Sequence, residues 1–257
     1  MENALTAPAI AVHELSVGFS GKRVLEDINL TIRPGELSVI IGPSGSGKST
    51  LLRAMNRLNE LFPGCSSSGS VKVRLDGRLV DIYQRGSIPL PELRRRVGMV
   101  FQTPTVLPFS VRKNITMPLA VTLGLEGRDL ELRLEWSLRQ VGLWDEVKDR
   151  LLDAAATLSG GQQQRLCLAR TLALGPEVLL VDEPTASLDF RATATIERLL
   201  TDFKDRYTIV AVSHSLSQTR RLADRLWVLR QGRTVEQLER RHLQDAAAFQ
   251  ELVDRAF

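Results

Sequence analysis

Residues 42–49 read Gly42, Pro43, Ser44, Gly45, Ser46, Gly47, Lys48 and Ser49, followed by Thr50. This spacing fits the phosphate-cradling pattern G-x-x-x-x-G-K-[ST]. A polyphosphate needs several backbone N–H donors converging on it, and glycines let the chain turn tightly enough to present them. A helix starting near Lys48 adds the positive end of its dipole. Lys48 would reach the outer phosphates, and the Ser49 hydroxyl would meet Mg²⁺. A second group, Asp182-Glu183, ends the apolar run Val178–Val181. A carboxylate there can hold Mg²⁺ through Asp182, while Glu183 orients or polarises an attacking water. A third group, Ser159, Gly160, Gly161 and Gln162, opens a helical stretch. It is another anion cradle, made of a hydroxyl, two glycines and a helix start.

These groups need elements to carry them. Leu37–Ile41 is a short apolar run before the first group, and a helical pattern of Leu51, Leu52, Met55 and Leu58 follows it. Residues 9–17 and 24–32 read as strands, 62–70 as a Pro/Gly/Ser loop, and 71–80 as a hairpin about Asp76-Gly77. Residues 93–101 read as a strand leading to Gln102, with Arg94, Arg95 and Arg96 as its solvated entry. Prolines at 104, 108 and 118 mark 103–117 as irregular. Helices are expected over 130–141, 144–152, 161–174, 191–204 and 216–223. Strands are expected over 178–182 and 208–213, with a hairpin over 226–235 about Gln231-Gly232. Strands alternating with helices imply an α/β fold with a largely parallel sheet. Ligands of such sheets gather at the carboxyl ends of the strands, where Gly42 and Asp182 lie.

The chain has 257 residues, 43% apolar and 25% charged, with a formal net charge of +4. That length holds one large core or a core with a subdomain, and that composition excludes global disorder. The mild basic excess reads as a solvated surface. Cys65 and Cys167 sit in unlike contexts, and His13, His214 and His242 are scattered. No metal-ligand spacing is present, and a reducing compartment fits. The start lacks a basic segment followed by a long apolar run, so no signal peptide is expected. No segment approaches the ~18 apolar residues of a membrane span. If the chain drives transport, other chains supply the pore.

The order of the three motifs resembles the ABC ATPase family, whose signature Leu158-Ser159-Gly160-Gly161-Gln162 matches. Other positions then find counterparts. Gln102 is similar to the family's Q-loop glutamine, which senses Mg²⁺ and the attacking water. Ser187-Leu188-Asp189 resembles the D-loop that crosses the dimer interface, with Asp189 near the nucleotide. His214 resembles the switch histidine on the γ-phosphate, and Phe19 the aromatic that stacks on adenine. The resemblance spans roughly residues 10–236. It implies a P-loop NTPase of the ABC ATPase fold: a RecA-like core, an antiparallel β subdomain and a helical subdomain. The whole chain, 1–257, reads as one ABC ATPase domain. Residues 10–101 and 158–235 form the core with its β subdomain, 103–157 the helical subdomain and 236–257 a tail. Apolar Leu238, Leu243, Phe249, Leu252 and Val253 make that tail a capping or docking helix.

The resemblance also implies ATP and Mg²⁺ as ligands, with Glu183, His214 and Gln102 as the catalytic group and Ser49, Gln102 and Asp182 around the metal. It implies a homodimer through the nucleotide sites and two integral membrane permease subunits. A substrate-binding protein outside the cell is an indirect partner, and nucleic acid is not a partner. The expected location is peripheral, on the cytoplasmic face of the inner membrane. Residues 56–61 with Pro63-Gly64, and 93–102, 143–150, 162–167 and 207–210, resemble the ATP-binding subunits of phosphate importers. Ser213-His214-Ser215 and 103–108 depart from that pattern, which leaves an importer of another anion or small solute as the alternative. Soluble ABC ATPases of DNA repair or translation carry coiled coils, zinc modules or tandem units, none of which this sequence contains.

Overall fold

Leu37–Ile41, Val178–Asp182 and Thr208–Val212 are buried at every position. Strands of that kind need a sheet covered on both faces. The computed structural model describes residues 7–245, with Phe249 and Glu251, and builds that sheet.

The antiparallel part contains β1 (Ile10–Phe19), β2 (Lys22–Ile32), β4 (Cys65–Leu75) and β5 (Arg78–Asp81), in the order β2-β1-β4-β5. The second sheet contains β3 (Leu37–Ile41), β6 (Val97–Val100), β7 (Val178–Asp182), β8 (Thr208–Val212), β9 (Arg225–Arg230) and β10 (Arg233–Glu239). Its order is β10-β9-β3-β8-β7-β6, parallel except for the β9–β10 hairpin. Among the described residues the helices are α1 (Lys48–Ala54), α2 (Leu90–Arg96), α3 (Val111–Leu123), α4 (Gly127–Gln140) and α5 (Trp144–Val147). Then come α6 (Gly160–Ala173), α7 (Phe190–Phe203), α8 (Leu216–Leu222) and α9 (Arg240–Gln244).

The two-residue period of the strands divides the interior in two. Leu37, Val39 and Ile41 of β3, with Leu179 and Val181 of β7, face a core completed by α3, α4 and α6. Ile40, Leu180 and Val178 face a second core, closed by α1 and the antiparallel sheet. The central sheet is thus clamped between a helical layer and a β layer. Its carboxyl edge is left to carry the loops after β3, β6, β7 and β8.

Three expectations from sequence are corrected. Residues 65–70 are strand rather than loop: Phe19, Gly18, Val17 and Ser16 of β1 pair with Cys65, Ser66, Ser67 and Ser68. Arg94–Arg96 are the last turn of α2 rather than a solvated strand entry, and the strand begins only at Val97. Residues 111–117 are helical rather than irregular. Ser110 caps α3 by accepting from the Lys113 N–H, and the helix continues through Pro118. The tail also differs in its first residues, since β10 runs to Glu239. Leu238, Leu243 and Phe249 are buried in the first core, whereas Leu252 and Val253 lie outside the described residues.

The arginine run is built into the fold. Arg94 donates to the Arg57 carbonyl and Arg95 to that of Leu174. Arg96, nearly buried, meets Glu177 at 2.5 Å, Asp76 at 2.7 Å and Glu92 at 3.4 Å. It ties the β4–β5 turn to the start of β7. Its carboxylate partners are partly or largely exposed, so losing Arg96 strands few buried charges. Arg96→Ala should therefore cost about 2 kcal/mol of stability. Urea unfolding measures this, and an unchanged midpoint would refute the clamp.

Candidate functional site

The loop after β3 is shaped by two glycines. A Cβ on Gly42, at φ 154°, would lie 1.9 Å from the Leu229 carbonyl oxygen. A Cβ on Gly47, at φ 102°, would lie 2.7 Å from Leu25 Cδ2. The loop is seated against β9 and β2 so closely that only glycine fits at these points. Lys48 opens α1, and its Nζ donates to the carbonyls of Gly42 and Pro43, each at 2.9 Å. Two of its three protons hold the loop, and one remains for a ligand. Burial pushes the Lys48 ammonium below its ordinary value, opposed by the charges of Glu183 and Asp182.

Strand β7 delivers the carboxylates. Asp182 is buried, and its Oδ1 accepts from the Ser49 hydroxyl at 3.0 Å. Burial raises its pKa, while the Ser49 hydrogen bond and the charges of Arg53 and Lys48 oppose the rise. A hydroxyl and a desolvated carboxylate, both hard oxygen donors, fit Mg²⁺ completed by phosphate and water oxygens. Among the described residues no group of three or more His, Cys, Asp and Glu forms an independent metal centre. Glu183 adopts a left-handed backbone, φ 44°, unusual for a residue other than glycine. Its N–H donates to the Val212 carbonyl at 3.1 Å, which fastens it to β8. Its Oε2 accepts from Gln102 Nε2 at 3.1 Å, and its Oε1 lies 2.5 Å from His214 Nε2. The loops after β6, β7 and β8 therefore meet on one carboxylate.

A cavity of about 300 Å³ opens between these groups, lined by residues of 44–50 with Val24, Glu183 and His214. Val24 was not singled out from sequence, since a half-buried valine in a strand carries no functional signal. Phe19 is not among the lining residues. It is half-buried, edge-on to Phe62 at 6.2 Å between ring centres.

Ser159–Gln162 do not line the cavity either. Ser159 caps α6 in a reciprocal box: its Oγ accepts from the Gln162 N–H at 3.3 Å, and the Gln162 Oε1 accepts from the Ser159 N–H at 3.0 Å. A Cβ on Gly161 would lie 2.7 Å from that of Ala192, so α6 begins against the start of α7. Asp189 caps α7 through the Ala192 N–H at 2.9 Å. One chain thus brings together the 42–50 loop, Asp182, Glu183, Gln102 and His214. It holds the second anion cradle and Asp189 as a separate, preformed surface.

A family model described as "ABC transporter" matches residues 25–186. A phosphate import ATP-binding protein of Vibrio parahaemolyticus is 45% identical over 89% of this chain and 82% of its own length. A protein of the same description from Salinibacter ruber is 45% identical over 89% of each chain. Among solved structures, cbiO1 of Clostridium perfringens, part of an ABC transporter complex, aligns with a TM-score of 0.77. Its sequence is 29% identical, and 96% of this chain and 95% of that one are covered. The ATP-binding cassette MJ0796, a dimer in a post-hydrolysis state with ADP and Pi, aligns at 0.73 and 28% identity, over 90% and 98% of the two chains.

The raised Asp182 pKa has a consequence for stability. Folding favours the protonated form, so the ionised form costs stability once pH rises through the folded value. Asp182→Asn removes that cost. Its melting temperature should gain on wild type as pH rises from roughly 4 to 8. A difference independent of pH would contradict this.

Proposed function

The chain belongs to the ABC transporter family of ATP-binding proteins, and from that premise we propose that it is the ATP-hydrolysing subunit of an importer for inorganic phosphate. The observation that carries the cargo is the 45% identity, over 89% of the chain, to proteins described as phosphate import ATP-binding proteins. Among the described residues no helix is long and apolar enough to cross a membrane. In this reading two integral membrane permease subunits supply the pore, with a substrate-binding protein outside, and this chain docks at the cytoplasmic face. The Gln102–Met117 segment and α3 are the docking surface, where Phe101 and Val121 stand exposed.

The proposed roles rest on the geometry at Glu183 and on the family resemblance. ATP is held by the backbone of 42–50 and by the third proton of Lys48. Ser49 and Asp182 would hold Mg²⁺, with Gln102 beside it on the loop after β6, and the ion would neutralise charge building on the phosphate oxygens. The γ-phosphate competes for Gln102 and His214, which otherwise bond to Glu183. As they turn to the nucleotide, the Glu183 carboxylate is released to orient water for in-line attack. Phe19 supplies a stacking face for adenine at the β1–β2 turn. Ser159, Gly160, Gly161 and Gln162 of a second copy close over the γ-phosphate, with Asp189 at the seam. Each site is thus split across a two-fold dimer. Hydrolysis removes the shared phosphate and the dimer opens, a ligand-driven shift between two states.

The test is a tagged chain purified with its partners and reconstituted in vesicles. Two multi-span membrane proteins should accompany it. Glu183→Gln should lower ATP turnover by roughly 10²-fold or more while keeping ATP binding. Labelled phosphate should accumulate with ATP and be displaced only by unlabelled phosphate. Accumulation of a different anion would replace the cargo, and recovery of ribosomes or nucleic acid without membrane proteins would overturn the transport reading.

A further inference from the structure

The second anion cradle is braced by a residue of the helical layer that lies within the 143–150 stretch but outside the nucleotide-site motifs. Glu146 lies in α5, sixteen residues before Gln162. Its Oε2 accepts from Gln162 Nε2 at 2.8 Å. Both of its oxygens also meet the fork of Arg165, at 2.7 and 3.1 Å. Gln162 is thereby fixed at both ends of its amide: Oε1 takes the Ser159 N–H and Nε2 donates to Glu146. Arg165 stands three residues further along α6, on the same side as Gln162, and also donates to the Gly142 carbonyl at 2.9 Å.

Two physical points give this contact a purpose. The capping box holds the Ser159 hydroxyl and the first N–H groups of α6 in one arrangement. Its glutamine is at the surface, where an unbraced side chain samples several rotamers. A carboxylate close to an anion-binding helix start would repel phosphate. Here the guanidinium of Arg165 matches that charge and holds the Glu146 carboxyl below its ordinary range. The cradle gains rigidity without a net negative charge behind it.

We propose that Glu146 is a positioning residue for ATP hydrolysis, acting through Gln162 on the nucleotide bound by the other copy of the chain. This rests on the split-site reading above, and it predicts where a defect is felt. Removing Glu146 leaves the chain's own 42–50 loop, Asp182 and Glu183 untouched and weakens the partner's site.

The experiment uses whole transporter complexes carrying two differently tagged copies, with Glu183→Gln silencing one site. In the first arrangement, Glu183→Gln and Glu146→Ala are on opposite copies. The silenced loop then faces the damaged cradle, and the other site is intact. In the second, both changes are on one copy, so the only active loop faces the damaged cradle. ATP turnover in the first should equal that of a complex with Glu183→Gln alone. In the second it should be about tenfold lower. Glu146→Gln keeps an acceptor for Gln162 and should restore the second arrangement to within about threefold.

The reverse order would mean that Glu146 serves its own chain's site. Equal rates would mean that Glu146 does not act across the split site, either because it has no role or because its loss disturbs the fold generally. Either result overturns the proposal. Ser159→Arg in place of Glu146→Ala is the control for the split site. If it fails to show the same order, the split-site reading falls, and this proposal falls with it. If it does and Glu146→Ala does not, only the positioning role is lost.

Discussion

The Glu183 carboxylate is the point on which the site depends. Gln102 arrives from the loop after β6 and His214 from the loop after β8, and each bonds a different oxygen of Glu183 at the end of β7. Two loops are thus tied to one side chain whose backbone is itself fastened to β8. With Gln102 and His214 on its two oxygens, the Glu183 carboxylate is oriented by protein partners rather than by a water. In the proposed mechanism, the γ-phosphate is the ligand that draws both partners away. In that proposal, ATP binding has a direct mechanical consequence. What moves Gln102 also moves the segment that leads into α3 and the helical layer.

The sheet makes this possible. Parallel strands buried on both faces set β3, β6, β7 and β8 side by side with their carboxyl ends together. The Asp182 carboxylate is carried into a partly desolvated edge, where burial works against its charge. Such a group is stabilised by a cation, which turns a cost of folding into affinity for a metal-bound substrate. Lys48 is in the mirror situation, an ammonium held by carbonyls and awaiting anionic oxygens. In the proposed split site, the other half is the cradle at Ser159–Gln162, capped and braced within its own chain but outside the cavity. A split site couples the fate of the γ-phosphate to whether two chains stay closed.

Much of this was legible in the sequence. The fully buried strands announced themselves as unbroken apolar runs, and Leu37–Ile41 and Val178–Asp182 begin and end where those runs do. The 42–50 loop, the carboxylate pair and the cradle are local patterns, so spacing alone revealed them. What stayed hidden depends on distant partners. Ser66–Ser68 have no strand propensity of their own, and their pairing with β1 makes them strand. Helix α2 carries a proline in its first turn, a helix-start signal that lies outside the 93–101 segment expected as strand. Pro108 and Pro118 masked α3, whose Ser110 cap was the better guide. Glu146 fell within the 143–150 stretch, but its contact could not be read there, because it reaches a glutamine sixteen residues away.

The central claim is that the ATP site is completed by a second copy of the chain. The most direct measurement places Ser44→Cys on one tagged copy and Ser159→Cys on the other, in complexes lacking the two native thiols. Disulfide formation is then followed with and without Mg·ATP, in a Glu183→Gln background. A crosslinked pair of chains that appears with Mg·ATP and disappears when nucleotide is removed is the predicted result. No crosslink between chains under Mg·ATP, with ATP demonstrably bound, would contradict the account.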